Sequence, residues 1–299
     1  MLRSVTARAG VATALAAVIA LVPSFAVAQD TGLLYIEVRD RDGLPVTDLT
    51  PADFAVSEGD TEVTVLSAEP VGPMKIALMV DNGHAMHEER ALSPLRNALV
   101  DFLDTLGPEH EIFLATIGRQ IFRRVDFTTD REELKDSANS IFLDEGSGAV
   151  VLDGVRETWE RRFEDVESFP VFVMVVSDGT ESSSSYNDDE YAELVNTLIS
   201  NGTTVHGVLL STRGGSLITQ VMLNLTENTG GVYESVSAAT GLEEAMISLA
   251  NRMNDHADSV SARYRVIYEA PETRGDSISA GVRRSGVQLS LYGDMRMAP

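Results

Sequence analysis

The sequence predicts an α/β fold with a doubly wound, mostly parallel sheet, to which strands from both chain ends add a small β-sandwich. Two apolar runs are typical of buried strands and each leads to an aspartate: 76–80 precedes Asp81, and 171–177 precedes Asp178. Strand-like and helix-like segments alternate between and after them, as in parallel sheets covered by helices on both faces. Because such sheets bind ligands at the carboxyl ends of their strands, the two aspartates mark a candidate site.

Composition is that of a globular protein with a substantial core. The chain has 299 residues, of which 43% are hydrophobic and 23% charged. The formal net charge is −23, which disfavours nucleic acid and anionic lipid as partners. The sequence has no cysteine, which excludes disulfides, thiol catalysis and cysteine metal sites.

Residues 1–28 have the pattern of an export signal. Arg3 and Arg8 precede the apolar run 11–22, and residues 26–28 (Ala-Val-Ala) form a cleavage site. Removal of the two arginines would take the net charge from −23 to −25. We expect an exported protein, periplasmic or secreted, without an integral membrane span.

Residues 29–73 show strand and turn patterns. We predict strands at 34–38, 54–56 and 63–66, ended by a boundary rich in proline and glycine at 70–73. Three short strands bury too little surface to be stable alone, so they need a partner sheet.

Residues 74–255 carry the alternation. Beyond the two strands above, we predict strands at 111–117, 120–127, 203–210 and 232–235, and helices at 91–106, 153–163, 188–200, 217–229 and 242–253, with one more beginning at Asp130.

Residues 256–299 return to strands, at 261–268, 278–284 and 287–292. We expect these to pair with 29–73, so that the two chain ends form one β-sandwich with the α/β domain inserted between them. The alternative is two unrelated β appendages.

The strand that ends at Asp81 and the strand before Asp178 resemble those of a von Willebrand factor type A (VWFA) domain. In that family the first strand ends Asp-x-Ser-x-Ser, and a threonine and a second aspartate complete a metal-ion-dependent adhesion site (MIDAS). Asp81 and Asp178 match the two aspartates. Gly83 and Ala85 stand in place of the serines, and Ala149 in place of the threonine. The resemblance therefore implies an A-domain fold with a degenerate metal site.

A second resemblance covers the chain ends. Residues 38–59 and 264–268 are similar to the exported bacterial VWFA-related proteins first noted in Acidobacteria. The resemblance implies a protein-binding domain and defines no enzymatic activity.

Three interpretations of the two aspartates remain open. Asp81 and Asp178 cap loops by accepting backbone hydrogen bonds, or bind Mg²⁺ or Ca²⁺ weakly through water, or retain a functional metal site. His84 and His87 lie in the same loop and could recruit Zn²⁺ beside Asp81. We expect no cofactor.

The predicted function is an exported, non-enzymatic interaction module that is metal-independent or weakly metal-linked. A self-assembling envelope component and a metal-dependent adhesin are the alternatives. We find neither a Gly-x-Ser-x-Gly nor a His-Glu-x-x-His motif. The protein partner, which the sequence does not identify, would bind an exposed apolar rim formed by Gly83, His84, Ala85, Met86, Ala149 and Val150.

Overall fold

The computed structural model describes residues 31–163, 169–179, 187–212 and 217–297. The predicted leader, 1–28, and the serine run 182–185 lie outside the described residues. In the described part of the chain, no helix is long and apolar enough to cross a membrane.

The strands and helices follow the predicted alternation. The strands are β1 (Thr31–Asp40), β2 (Phe54–Glu58), β3 (Thr61–Val63), β4 (Val65–Pro70), β5 (Met74–Val80), β6 (Glu111–Thr116), β7 (Phe122–Thr128), β8 (Phe169–Ser177), β9 (Thr204–Leu210), β10 (Tyr233–Val236), β11 (Arg263–Glu269), β12 (Ile278–Val282) and β13 (Val287–Tyr292). The helices are α1 (His84–Glu88), α2 (Leu92–Thr105), α3 (Arg131–Asn139), α4 (Val151–Arg162), α5 (Asp188–Ser200), α6 (Leu217–Thr229) and α7 (Leu242–Val260).

A six-stranded sheet forms the centre of the molecule, in the order β10-β9-β8-β5-β6-β7. Its strand pairs are parallel except β6 with the edge strand β7. One face packs against α2, α3 and α7, and the other against α4, α5 and α6. Every position of β8 and β9 is buried, as expected for central strands covered on both faces. The predicted doubly wound α/β fold is confirmed.

The strands of the two chain ends form two further sheets. One has the order β13-β1-β11-β4 and the other β12-β2-β3. They share an apolar core to which β1, β2 and β11 contribute, for example through Ile36, Val56 and Tyr264. The predicted pairing of the two chain ends in a small β-sandwich is therefore confirmed.

Two details differ from the sequence-based expectation. The strand predicted at 63–66 is divided, because Val63 pairs with Val56 in one sheet and Val65 with Tyr268 in the other. Helix α7 continues beyond the predicted end at 253 to Val260, which is buried. The predicted domain boundary at 255 therefore falls inside a helix. The division into 29–73, 74–255 and 256–299 stays a prediction.

The sandwich contacts the central domain through buried side chains. Tyr35 of β1 and Met295, which follows β13, belong to the same apolar cluster as α2 and α7. Gly202, with a φ of 67°, lies against the Tyr35 hydroxyl, where a Cβ would be only 1.9 Å from the oxygen. Glycine is needed there both for the backbone conformation and for the close approach.

Candidate functional site

Asp81 follows β5 and is only 2% exposed. Its Oδ1 accepts a hydrogen bond from the Gly83 backbone N–H at 2.7 Å. Its Oδ2 accepts from both the backbone N–H (3.1 Å) and the hydroxyl (2.7 Å) of Ser177, at the end of β8. Burial raises the pKa of this carboxyl, although the three hydrogen bonds oppose the rise. Asp81 thus joins the ends of two neighbouring strands.

Asp178 lies one residue after β8 and is 3% exposed. It accepts hydrogen bonds from the Ser211 hydroxyl, at 3.2 Å, and from the Thr212 backbone N–H. Its own N–H donates to the Leu210 carbonyl at 3.1 Å. Both aspartates therefore accept hydrogen bonds from the chain itself at the carboxyl end of the sheet.

Gly83 is packed against the loop that precedes α4. A Cβ at this position would lie 2.8 Å from the carbonyl oxygens of both Ser147 and Gly148. The backbone N–H of His84 donates to the Ser147 carbonyl at 2.7 Å, which holds the loop in place. Backbone therefore occupies the space that a side chain at 83 would need.

The residues present do not fit a MIDAS metal ion. Gly83, Ala85 and Ala149 supply no hydroxyl, and the two carboxylates are engaged in internal hydrogen bonds. Across the described ranges, no group of three or more histidine, cysteine, aspartate or glutamate side chains is placed to hold a metal.

His84 and His87 do not converge on Asp81. The Nε2 of His84 lies 3.3 Å from a Glu88 oxygen, and that of His87 lies 3.4 Å from a Glu145 oxygen. Both histidines are partly exposed around an open depression on the surface. This arrangement does not place the two histidines to bind Zn²⁺ together with Asp81.

Asn82 connects three loops, a role that sequence analysis missed. Its side-chain amide donates to the Phe142 carbonyl at 3.0 Å and accepts from the Gly118 N–H at 3.0 Å. Its backbone carbonyl accepts from the Asp144 N–H at 2.7 Å. The only sign of this role in the sequence was an amide side chain between the strand-terminal Asp81 and Gly83.

The expectation of an exposed apolar rim is wrong at four positions. Gly83, Ala85, Met86 and Ala149 are buried. Short helix α1 turns Met86 into the core beneath α2, and Ala149 packs in the cluster on the opposite face of the sheet. Of the predicted rim residues, only His84 and Val150 are partly exposed.

A groove lies next to Asn82, the residue that follows Asp81, between the end of β6, the start of β7 and the loop after α3. Its volume is about 260 Å³. Two phenylalanines on its wall, Phe122 and Phe142, are 56% and 66% exposed. We call it the phenylalanine groove, and it is lined by Asn82, Thr116, Arg119, Gln120, Phe122, Arg124, Phe142 and Asp144.

The sequence matches no protein-family model and no curated protein. Solved structures do match. A von Willebrand factor type A protein from Catenulispora acidiphila aligns with 88% of this chain and 72% of its own, at 10% identity and a TM-score of 0.50. The central sheet and its helices thus have the fold of a von Willebrand factor type A domain, and we call this part of the chain the A domain after that fold.

The chain also matches proximal thread matrix protein 1 from the mussel byssus. That alignment covers 79% of this chain and 51% of the mussel chain, at 12% identity and a TM-score of 0.50. A structure of the mussel protein with a zinc-occupied MIDAS motif covers 72% and 49%, at 13% identity and a TM-score of 0.50. This chain thus spans about half the length of the mussel protein. At such identities the likeness concerns the fold alone.

Proposed function

We propose that this chain is an exported, non-enzymatic interaction module whose A domain binds a protein partner without a metal ion. The observation that carries the proposal is the packing at Gly83, where two carbonyl oxygens stand 2.8 Å from the position of a Cβ. The loop before α4 therefore occupies the space that a metal-binding side chain at position 83 would need. Asp81 already accepts hydrogen bonds from Gly83 and Ser177.

The partner-binding surface lies at the carboxyl end of the sheet. Since most of the predicted rim is buried, its accessible part is His84 and Val150. The phenylalanine groove adds a further accessible surface between β6, β7 and the loop after α3. Exposed aromatic residues beside arginine are the composition that protein interfaces favour. Export to the periplasm or beyond rests on the leader pattern of residues 1–28.

A metal-dependent adhesin is the second candidate, because one structural neighbour has a zinc-occupied MIDAS motif. The distinguishing experiment records thermal unfolding of residues 29–299 in EDTA and then in millimolar Mg²⁺, Mn²⁺, Ca²⁺ or Zn²⁺. A ligand at about a hundred times its dissociation constant stabilises by roughly 2.7 kcal/mol. We expect no shift with any ion. A shift that disappears in Asp178→Asn would establish a metal site and contradict the proposal.

The interaction itself is tested by selecting a random peptide library against the same protein in EDTA. We expect enriched peptides that bind equally well after Mg²⁺ is added. A library without a binder would contradict the interaction function. Gel filtration across a range of concentrations addresses the alternative of a self-assembling envelope component, which requires concentration-dependent association.

A further inference from the structure

Two arginines near the phenylalanine groove have no carboxylate partner. Arg124 donates to the Ser137 hydroxyl and carbonyl, both at 3.2 Å, and to the Ser140 hydroxyl. Arg96 donates to the Ile141 carbonyl, at 2.9 Å from its Nε. As far as the structure describes the chain, neither arginine forms a salt bridge. Burial, and then the positive charge of Arg96, lowers the pKa of Arg124.

This absence of pairing is unusual for so acidic a protein. The chain has 46 acidic residues against 23 lysines and arginines, so carboxylates are abundant. The one acidic side chain in the groove lining, Asp144, lies 3.5 Å from the Nε of Arg119, whose side chain is 68% exposed. The groove therefore presents more positive than negative charge to a ligand.

Phe122 and Phe142 add an apolar surface to this charge. Single exposed apolar residues are common on protein surfaces, whereas a group beside a cavity indicates a binding site. The loop that carries Phe142 is fixed, because Asn82 binds the carbonyl of Phe142 and Arg96 binds that of Ile141. A preformed aromatic wall loses little conformational entropy on binding.

We propose that the phenylalanine groove binds a segment of a partner protein in which a carboxylate lies next to a large apolar side chain. The inference rests on the proposed interaction function and names the chemistry of the partner. A volume of about 260 Å³ is below the range of about 300–1,000 Å³ for drug-sized ligands, which suits one side chain. That side chain packs on Phe122 and Phe142, and the carboxylate pairs with Arg119 and Arg124.

The net charge of the protein does not prevent this pairing. Repulsion between distant exposed charges is screened beyond a Debye length of about 8 Å at physiological ionic strength. Within the groove a carboxylate would accept hydrogen bonds from the guanidinium N–H groups that Arg124 does not donate to Ser137 and Ser140, and such charge-assisted hydrogen bonds are short and strong. Local complementarity therefore outweighs the overall charge of −23.

The test uses three labelled synthetic peptides with the cores Asp-Phe-Asp, Asn-Phe-Asn and Asp-Ala-Asp, flanked by glycine and serine. Their binding to the mature chain in EDTA is measured by fluorescence anisotropy. We expect the Asp-Phe-Asp peptide to bind at least about tenfold more tightly than either control peptide, which corresponds to about 1.4 kcal/mol. Equal affinity of the three peptides, or no binding of the first, overturns the inference.

Variants then locate the binding. Phe142→Ser and Arg119→Gln remove exposed groups of the groove, and each is expected to weaken the Asp-Phe-Asp peptide about tenfold. The matched controls are Leu66→Ser, an exposed apolar residue of β4, and Arg123→Gln, whose exposed side chain pairs with Asp126 outside the groove. Controls that weaken the peptide as much as the groove variants do overturn the inference.

Three further outcomes separate the inference from the proposed function. Library peptides that bind the groove variants as well as the unmodified chain overturn the inference and leave the interaction function standing. Self-association that is lost in Phe142→Ser makes a second copy the occupant and also overturns the inference. A library without any binder contradicts the proposed function itself.

Discussion

At the scale of the residue, Gly83 is packed too closely against the loop before α4 to be replaced by a larger side chain. Gly83→Ser would place a Cβ 2.8 Å from two backbone oxygens. Overpacking of this kind costs about 1–3 kcal/mol, so we expect a lower free energy of unfolding by chemical denaturation and no gain of Mg²⁺ binding.

Gly72→Ser is the matched control, because a Cβ at Gly72 meets nothing within 4 Å. We expect the control to unfold like the unmodified chain. A Gly83→Ser variant as stable as the control, and further stabilised by Mg²⁺, would contradict the steric explanation.

His206 gives the stability of the protein a pH dependence. It is buried, and burial, with His256 and Arg252 nearby, lowers its pKa from 6.5 to about 3. Below pH 6.5 the unfolded chain therefore binds a proton that the folded chain does not. As the pH decreases below 6.5, this residue lowers the free energy of unfolding by about 1.4 kcal/mol per pH unit, until the pH reaches the pKa of His206 in the folded protein.

The variant His206→Asn keeps an acceptor for the Val232 N–H, which bonds to Nδ1 of His206 at 3.0 Å, and removes the titration. We expect the free energy of unfolding to depend less on pH in the variant, as measured by denaturation at a series of acidic pH values. A pH dependence that is unchanged in His206→Asn would contradict this role of His206.

The sequence predicted the positions of Asp81 and Asp178 because a strand end is fixed by its apolar run. It did not predict that Met86 and Ala149 are buried. Their exposure depends on how helix α1 and the loop before α4 turn, and α1 has only five residues, too few to show an apolar periodicity. The hydrogen bonds of Asn82 join segments 36 and 60 residues apart, which no local pattern encodes.

At the scale of the element, a tyrosine joins the two chain ends inside the sandwich. The hydroxyl of Tyr264 in β11 accepts the buried N–H of Leu49 at 2.9 Å. Tyr264→Phe leaves this N–H without its partner, which costs about 1–3 kcal/mol. Chemical denaturation should detect this loss of stability. The control is Tyr233→Phe, which should leave the free energy of unfolding unchanged, because the Tyr233 hydroxyl forms no hydrogen bond among the described residues. An equal effect of the two changes would contradict this assignment.

Element types were predictable where the pattern was long. The helix predicted at 188–200 begins and ends as expected, with Asn187 and Glu190 forming a capping box. The prediction of a single strand at 63–66 was wrong, because the alternation of apolar residues indicates which side chains are buried but not which sheet each residue joins. At Thr64 the chain leaves one sheet for the other: Val63 pairs with the nearby Val56, whereas the partner of Val65 is Tyr268, about 200 residues away.

At the scale of the whole molecule, the sandwich and the A domain share a core. Because Tyr35 and Met295 are buried among residues of α2 and α7, we expect one cooperative unfolding transition. Calorimetry should give equal calorimetric and van't Hoff enthalpies. Tyr35→Ala should cost about 3–5 kcal/mol, the range for large aromatic truncations in a core, while the exposed Leu291→Ala should cost little. Two separate transitions in the unmodified chain would contradict a shared core.

Because the A domain is inserted between the sandwich strands, we expect it to fold before the sandwich is complete. Strand β11 lies between β1 and β4, and the Val71 N–H donates to the Arg263 carbonyl at 2.8 Å. An unfolded A domain leaves these partners at the ends of a long flexible loop, whose closure is entropically unfavourable. A folded A domain brings them together. Strands β1 and β4 are synthesised before their common partner β11, so their edges stay unpaired until the C-terminal strands form. Until then, these edges must be protected from pairing with other chains.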